Sequence, residues 1–190
     1  MNPALIIIDA QNEYFAPHGK SILPDGEQAL AHIQELLQAF RTNNQPIFHV
    51  VHERLEADAA VFRRGSIGAE IHPAITVQTS EEIVTKHVPG AFYQTPLEMY
   101  LRAANIDTLV ISGYMTHMCC DTTTRQASAR GFKVLFSSDA TATRDILLDG
   151  KKLSHQSVHE TTLGIMTGFA TVLTSAEIIK QTAPDQGINV

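Results

Sequence analysis

The sequence predicts an α/β protein: a three-layer α/β/α sandwich around a central, mostly parallel six-stranded sheet. Three observations carry this. Short, continuous apolar runs recur along the chain, as in strands buried on both faces. Segments with helical amphipathic spacing separate them. No repeat, low-complexity tract or interdomain linker breaks the order, and alternating strands and helices imply a parallel sheet covered on both sides. At 190 residues and 44% hydrophobic content the chain reads as one domain, residues 1–190, whose core needs no disulfide or metal.

The elements follow in order. "ALIII" is a first strand ending at Asp9. Between residues 27 and 41, Leu30, Ile33 and Leu37 share a face with Ala29, Leu36 and Phe40, which makes an amphipathic helix. "NNQ" stops it and "PIFHVVH" supplies a second strand. Residues 53–80 are polar and broken by Gly65, Gly68 and Pro73, a long excursion of the kind that is usually functional or interface-forming. "EEIVTKH" is a third strand ending near Lys86. In "TPLEMYLRAAN", Thr95 reads as an N-cap, Pro96 as the first helical position and Glu98 as the partner in a capping box. "DTLVISG" is a fourth strand, followed at once by a helix to about Arg130 that Gly131 stops. "FKVLFSS" is a fifth strand ending at Asp139, "LSHQSVHETTLGIM" a helix, "FATVL" a sixth strand and "SAEIIKQ" a last short helix.

Composition narrows the function. Net charge is −6 without a basic stripe, which argues against nucleic acid or an anionic membrane as partner and does not by itself choose a substrate. No apolar run is long enough to span a bilayer. The N-terminus has no basic region before its short apolar run, so it does not read as a signal peptide. The only cysteines, Cys119 and Cys120, are adjacent and cannot staple distant segments, as expected of a reducing, cytoplasmic setting.

In open α/β sheets ligands bind beyond the carboxyl ends of the strands, where strand order reverses. The residues there are Asp9, His52, Lys86, the stretch 113–119 and Asp139. If Thr116 caps the helix after the fourth strand, Cys119 lies in its first turn, where free N–H groups and the macrodipole lower a thiol pKa. The alternative is that both cysteines are small buried hydrophobes. Asp9 ends a buried strand, an expensive place for a carboxylate without a partner, although a turn-fixing or capping role also accounts for it. Lys86 supplies a cation at another strand end, or is a surface lysine. Together the three make an acid, a base and a nucleophile on one sheet edge, a route to covalent catalysis.

Those residues carry a resemblance. "IIIDAQNEYF", "VTKHVPGAFYQTPLEMYL" and "ISGYMTHMCCDTTTRQA" are similar, in order and over nearly the whole chain, to the aspartate, lysine and Gly-x-x-Thr-x-x-Cys segments of the isochorismatase-like cysteine hydrolases; "FSSDATAT" and "FATVLTSAEII" match later segments. That family includes nicotinamidases and N-carbamoylsarcosine amidases. The resemblance implies a triad of Asp9, Lys86 and Cys119, with Cys120 where valine is usual. It implies a cis Tyr114–Met115 bond that aims the Met115 N–H, with that of Cys119, at an oxyanion. It also implies a hydrolase that cleaves a C–N bond of a small amide, imide or carbamoyl compound through a thioester, with no cofactor, in a homo-oligomer (dimer or tetramer).

The chain departs from the nicotinamidase metal motif, Asp-x-His: Glu53 stands at the aspartate but Leu55 at the histidine. His49 and His52 fall on opposite faces of one strand, so no metal is expected. Phe15, Phe92, Tyr114 and His117 lie near motif positions and are the expected substrate contacts, with aromatic core packing, and for His117 helix solvation, as the alternatives. Arg63 and Arg64 read either as anion contacts or as a solvated charged loop. His155 and His159, four apart on the late helix, suit helix packing or a subunit contact better than a metal. Two other readings of the whole remain: a thiol redox protein using Cys119 and Cys120, or a non-catalytic binding domain on the same scaffold.

Overall fold

The computed structural model describes residues 1–184. The core of the fold is a six-stranded sheet built from β1 (Pro3–Ile8), β2 (Ile47–His52), β3 (Glu82–Lys86), β4 (Thr108–Tyr114), β5 (Lys133–Ala142) and, further on, β8 (Thr171–Leu173), in the order β3-β2-β1-β4-β5-β8. Every pairing in it is parallel, so the sheet is wholly rather than mostly parallel. α1 (Gly26–Thr42) and α5 (Ser175–Thr182) cover one face; α2 (Leu97–Ala103), α3 (Asp121–Ala129) and α4 (His155–Met166) cover the other. The alternation along β1 makes the layers explicit. Leu5 and Ile7 pack with Ile33, Leu36 and Phe40 of α1, while Ala4, Ile6 and Ile8 pack with Leu97, Leu101 and Met166. Among the described residues no helix is long and apolar enough to cross a membrane.

The chain leaves β1 toward β2 and β3, then returns to place β4 on the other side of β1. Strand order therefore reverses between β1 and β4, and the carboxyl ends of these strands frame a crevice.

Three local readings change. Residues 146–153 contain a hairpin absent from the expected elements: β6 (Ile146–Leu148) and β7 (Lys151–Leu153) pair antiparallel across Asp149 and Gly150, whose φ values are 49° and 76°. An Asp-Gly pair between short apolar-edged runs is a strong signal for this turn. The helix after it begins at His155, capped by Ser154, whose side chain accepts from the Ser157 N–H. The capping box at α2 does not form. Pro96 takes the N-cap position, and Glu98 pairs with Arg102 and Arg130 instead, because those guanidinium groups lie within reach. Before α3, Thr116–Cys120 form a π-helical turn with Met115 at its N-cap; the Thr116 hydroxyl is engaged with His159 Nδ1 at 2.9 Å and does not cap the turn.

Gly113 ties the sheet to the crevice. Its φ of +113° lies where side-chain-bearing residues are strained, and an added Cβ would be driven into the Ile8 backbone of β1. Gly113→Ala is expected to lower the unfolding free energy by more than about 2 kcal/mol in urea titrations, because backbone on both sides of the clash is held by the ladder.

Candidate active site

Lys86 ends β3, Asp9 follows β1, and Cys119 lies in the turn after β4. The structure brings these three together. The Lys86 Nζ donates to Asp9 Oδ2 at 2.8 Å and to Cys119 Sγ at 3.3 Å, and all three residues are buried, with 0%, 1% and 6% of their surface exposed. A third bond runs from Nζ to His52 Nδ1 at 3.1 Å. An ammonium has three N–H donors and no acceptor, so its three donors here meet a carboxylate, a sulfur and an imidazole nitrogen.

β3 is an edge strand of the sheet and is separated from β1 by β2. His52 and Lys86 are partners in the β2–β3 register, so the lysine side chain reaches Asp9 by passing the end of β2, where His52 receives it. His52 is held in turn. Gln11, fully buried, accepts from the His52 N–H at 2.8 Å and donates to the His52 carbonyl at 2.9 Å. Phe62 packs its edge against the imidazole at 5.3 Å between centroids.

The electrostatics follow from burial. Desolvation raises the Asp9 pKa above 3.8, with Lys86 opposing. Burial is the strongest influence on Lys86 and works against its charge, but Asp9 and Cys119 together outweigh it and hold the ammonium above its usual 10.5. Burial, reinforced by Asp9, pushes the Cys119 thiol well up, and Lys86 recovers only part of this. This reverses the lowered thiol pKa expected from a helix start. Desolvation and the Asp9 charge exceed what a single π-turn terminus offers, so the resting group is a thiol beside a carboxylate. Asp9 Oδ1 is buried without a hydrogen-bond partner, leaving one carboxylate oxygen for a proton. The Asp9 backbone has φ of 52°, a left-handed conformation that non-glycine residues adopt mostly where surrounding structure imposes it.

Asp9, Met115 and Cys119 line a cavity of about 410 Å³, joined there by Tyr14, Phe62 and Met118. The Tyr14–Phe62 pair forms an aromatic wall, 5.1 Å between centroids and edge to face. The Tyr114–Met115 bond is cis, as the resemblance implied, and the amides of Met115 and Cys119 belong to two lining residues of one cavity. The segment after Asp9 fixes the cavity's outer wall. Gln11 also donates to the Ala69 carbonyl at 2.6 Å, Asn12 to that of Ile67 at 3.0 Å, and Glu13 accepts from the Phe62 and Lys20 amides at 3.2 and 2.8 Å. The polar excursion 53–80 is thereby pinned along the crevice.

None of the four expected substrate contacts lines this cavity. Phe15 and Tyr114 pack on one another in the α1 layer, where the Tyr114 hydroxyl donates to the Gly26 carbonyl at 2.8 Å. Phe92 lies in the opposite layer beside Phe132, and His117 turns its ring to Thr143. Cys120 is fully buried and does not line the cavity. Arg64 pairs with Glu53 at 2.8 Å, and Arg63 faces another part of the surface. The lining arginines are instead Arg54 and Arg144. His49 faces away and bonds Glu81 at 2.8 Å, Glu53 is taken by Arg64, and the His52 Nδ1 by Lys86, so the donors do not fit a nicotinamidase-type metal. His155 and His159 bind Asp145 and the Ser138 carbonyl within the chain, which is helix packing.

The chain is similar to proteins of one family over nearly its whole length. The isochorismatase domain profile matches residues 3–177. The chain is 35% identical to the isochorismatase family protein YddQ of Bacillus subtilis over 95% of its own length and all of that protein. It is 39% identical to the secreted isochorismatase effector Isc1 of Verticillium dahliae, covering 92% and 88%. It is 30% identical to nicotinamidase 3 of Arabidopsis thaliana, covering 88% and 82%. Similar solved structures include a cysteine hydrolase from Pseudomonas syringae (TM-score 0.89, 28% identity, 95% and 92% covered). Another is N-carbamoylsarcosine amidase from Thermoplasma acidophilum (TM-score 0.78, 26% identity, 92% and 97% covered).

Burial first, and then the Lys86 and Arg54 charges, hold the His52 pKa down at about 3. The imidazole is then neutral between about pH 8 and pH 5, which NMR titration of the ring should show as an absence of protonation. A depressed folded pKa favours the native state above the unfolded value of 6.5, and that contribution is lost as pH falls from 6.5 toward 3. His52→Gln, which keeps an acceptor for Lys86, should reduce the slope of stability against pH in this window by about one proton.

Proposed function

The chain belongs to the isochorismatase family and is a hydrolase of that family; from that premise we propose that it is a cysteine-dependent amidohydrolase, cleaving a C–N bond of a small amide, imide or carbamoyl compound through a thioester on Cys119. The observation that carries the proposal is the Lys86 ammonium bonded to both Asp9 and Cys119, two residues that line the cavity. Relatives named for amide hydrolysis, the nicotinamidase and the N-carbamoylsarcosine amidase, support the substrate class.

The chemistry assigns each group one task. The Cys119 sulfur attacks the carbonyl carbon while Asp9 Oδ1 takes the thiol proton, and the carbonyl π pair moves to oxygen. The N–H groups of Met115 and Cys119 are the donors for that oxyanion. As the intermediate collapses, the C–N bond breaks and the leaving nitrogen takes the proton from Asp9, which leaves a thioester. Water then attacks the thioester with Asp9 again as base; the C–S bond breaks, the thiol regains its proton and the acid product departs. Desolvation makes Asp9 a stronger base than an exposed aspartate, which suits a nucleophile that rests as a thiol. Lys86 keeps the carboxylate pointed at the sulfur and stabilises the thiolate as it forms. His52 is a positioning residue that occupies the third N–H, so the ammonium cannot rotate away from the reacting pair.

Ammonia release from a panel of small amides, ureas and imides tests the reading. Cys119→Ala should reduce turnover to background and Asp9→Asn should slow it by about 10²–10⁴-fold. Because Asp9 must be ionised and its pKa is raised, kcat/KM should climb with pH about a midpoint above the ordinary 3.8. Cys119→Ala retaining wild-type turnover would remove the thiol from the mechanism.

A further inference from the structure

Two buried tyrosines flank the crevice, and the fold treats their hydroxyls differently. Tyr114 donates to the Gly26 carbonyl. Tyr14 is 3% exposed and lines the Cys119 cavity; no group among the described residues bonds its hydroxyl, which is not one of the enclosed unpaired polar atoms and therefore opens onto the cavity. A hydroxyl that opens onto a cavity is completed by whatever fills the cavity, water or a bound molecule. Because Tyr14 lines the cavity, a ligand there is the available partner.

A second observation concerns the arginines. Arg41, Arg64, Arg102, Arg125 and Arg130 each hold an aspartate or glutamate. Among the described residues Arg54 and Arg144 form no ion pair, and both line the same cavity as Tyr14 and Cys119. The acids of that cavity do not neutralise them. Asp9 is committed to Lys86 and Glu53 to Arg64, which leaves Glu56 on the exposed rim, where Arg54 and Arg144 also lie. The Arg144 charge also acts at the Tyr14 phenol, against the burial and the Asp9 charge that push that group's pKa up.

We infer that Tyr14, Arg144 and Arg54 form an anion subsite, and that the substrate is an amide carrying a carboxylate away from its scissile C–N bond. The inference rests on Cys119 being the reacting centre. Guanidinium groups suit a carboxylate because they donate two parallel N–H bonds, and the phenol adds a neutral donor. The arrangement would select against neutral amides, since binding them leaves the phenol unpartnered in the cavity wall.

The test compares iodoacetate with iodoacetamide, two alkylating agents that differ in a carboxylate against a carboxamide. Their rates at Cys119 are followed by mass spectrometry on the full chain, and the ratio is divided by that for a free thiol such as N-acetylcysteine. The expected ratio favours iodoacetate by about tenfold or more, as charge-assisted hydrogen bonds do. It should fall toward that of the free thiol in Arg144→Gln and Tyr14→Phe, while Arg63→Gln, an exposed arginine outside the cavity, keeps it. A wild-type ratio at or below that of the free thiol, or no labelling of Cys119 by either reagent, overturns the subsite. Ammonia release from succinamate and butanamide is measured alongside. Carboxylate-selective alkylation without release from any amide would keep the subsite and sink the amidohydrolase. Release from butanamide equal to or faster than from succinamate would keep the amidohydrolase and sink the subsite.

Discussion

A fully buried lysine ammonium governs the arrangement of this protein. Removing such a charge from water is costly unless paired charge and hydrogen bonds replace the solvent. Lys86 obtains both only where the ends of three strands and one turn converge. That convergence depends on the parallel sheet, since only then do β1, β2, β3 and β4 all end on one side. The same contacts that make the burial tolerable hold a carboxylate and a thiol side by side, so stability and the proposed chemistry draw on one set of bonds.

The polar segment after Asp9 extends this logic outward. Gln11, Asn12 and Glu13 are buried polar residues in positions where a core would ordinarily hold apolar ones. Each is satisfied by backbone of the excursion or of β2. A segment with little hydrophobic content of its own is thereby fixed as a cavity wall, with Phe62 at φ of 52° turned onto Tyr14 and His52. Gly68 fits this role because an added Cβ would strike the Glu13 carboxylate. Directional bonds, rather than apolar area, define the wall's position.

The sheet, its helices and the convergence of Asp9, Lys86 and Cys119 were legible in the chain itself. Continuous apolar runs mark strands buried on both faces, and a charge or thiol just past such a run has few bland explanations. Helical periodicity likewise located α1 and α5 because packing and pattern agree there. The hairpin at 146–153 had its signal in Asp149-Gly150 but was submerged beneath the pattern of the following helix. The direction of the Cys119 pKa shift was not legible, because it depends on how much water the assembled crevice excludes.

What only the tertiary structure decided is which side chains face the cavity. Tyr14 lines the cavity rather than Phe15 and Met118 rather than His117, while beside the expected Met115 the ring of Tyr114 turns away to Gly26. Each lies where the chain leaves regular structure, in a short 3-10 turn, after a cis bond or in a π-helical turn. Periodicity reports direction only while the backbone repeats. The sequence by itself therefore determined the fold class and singled out the aspartate, the lysine and the thiol that the structure brings together. The walls that choose a substrate were set by non-repeating backbone, whose path follows from long-range hydrogen bonds that local pattern does not encode.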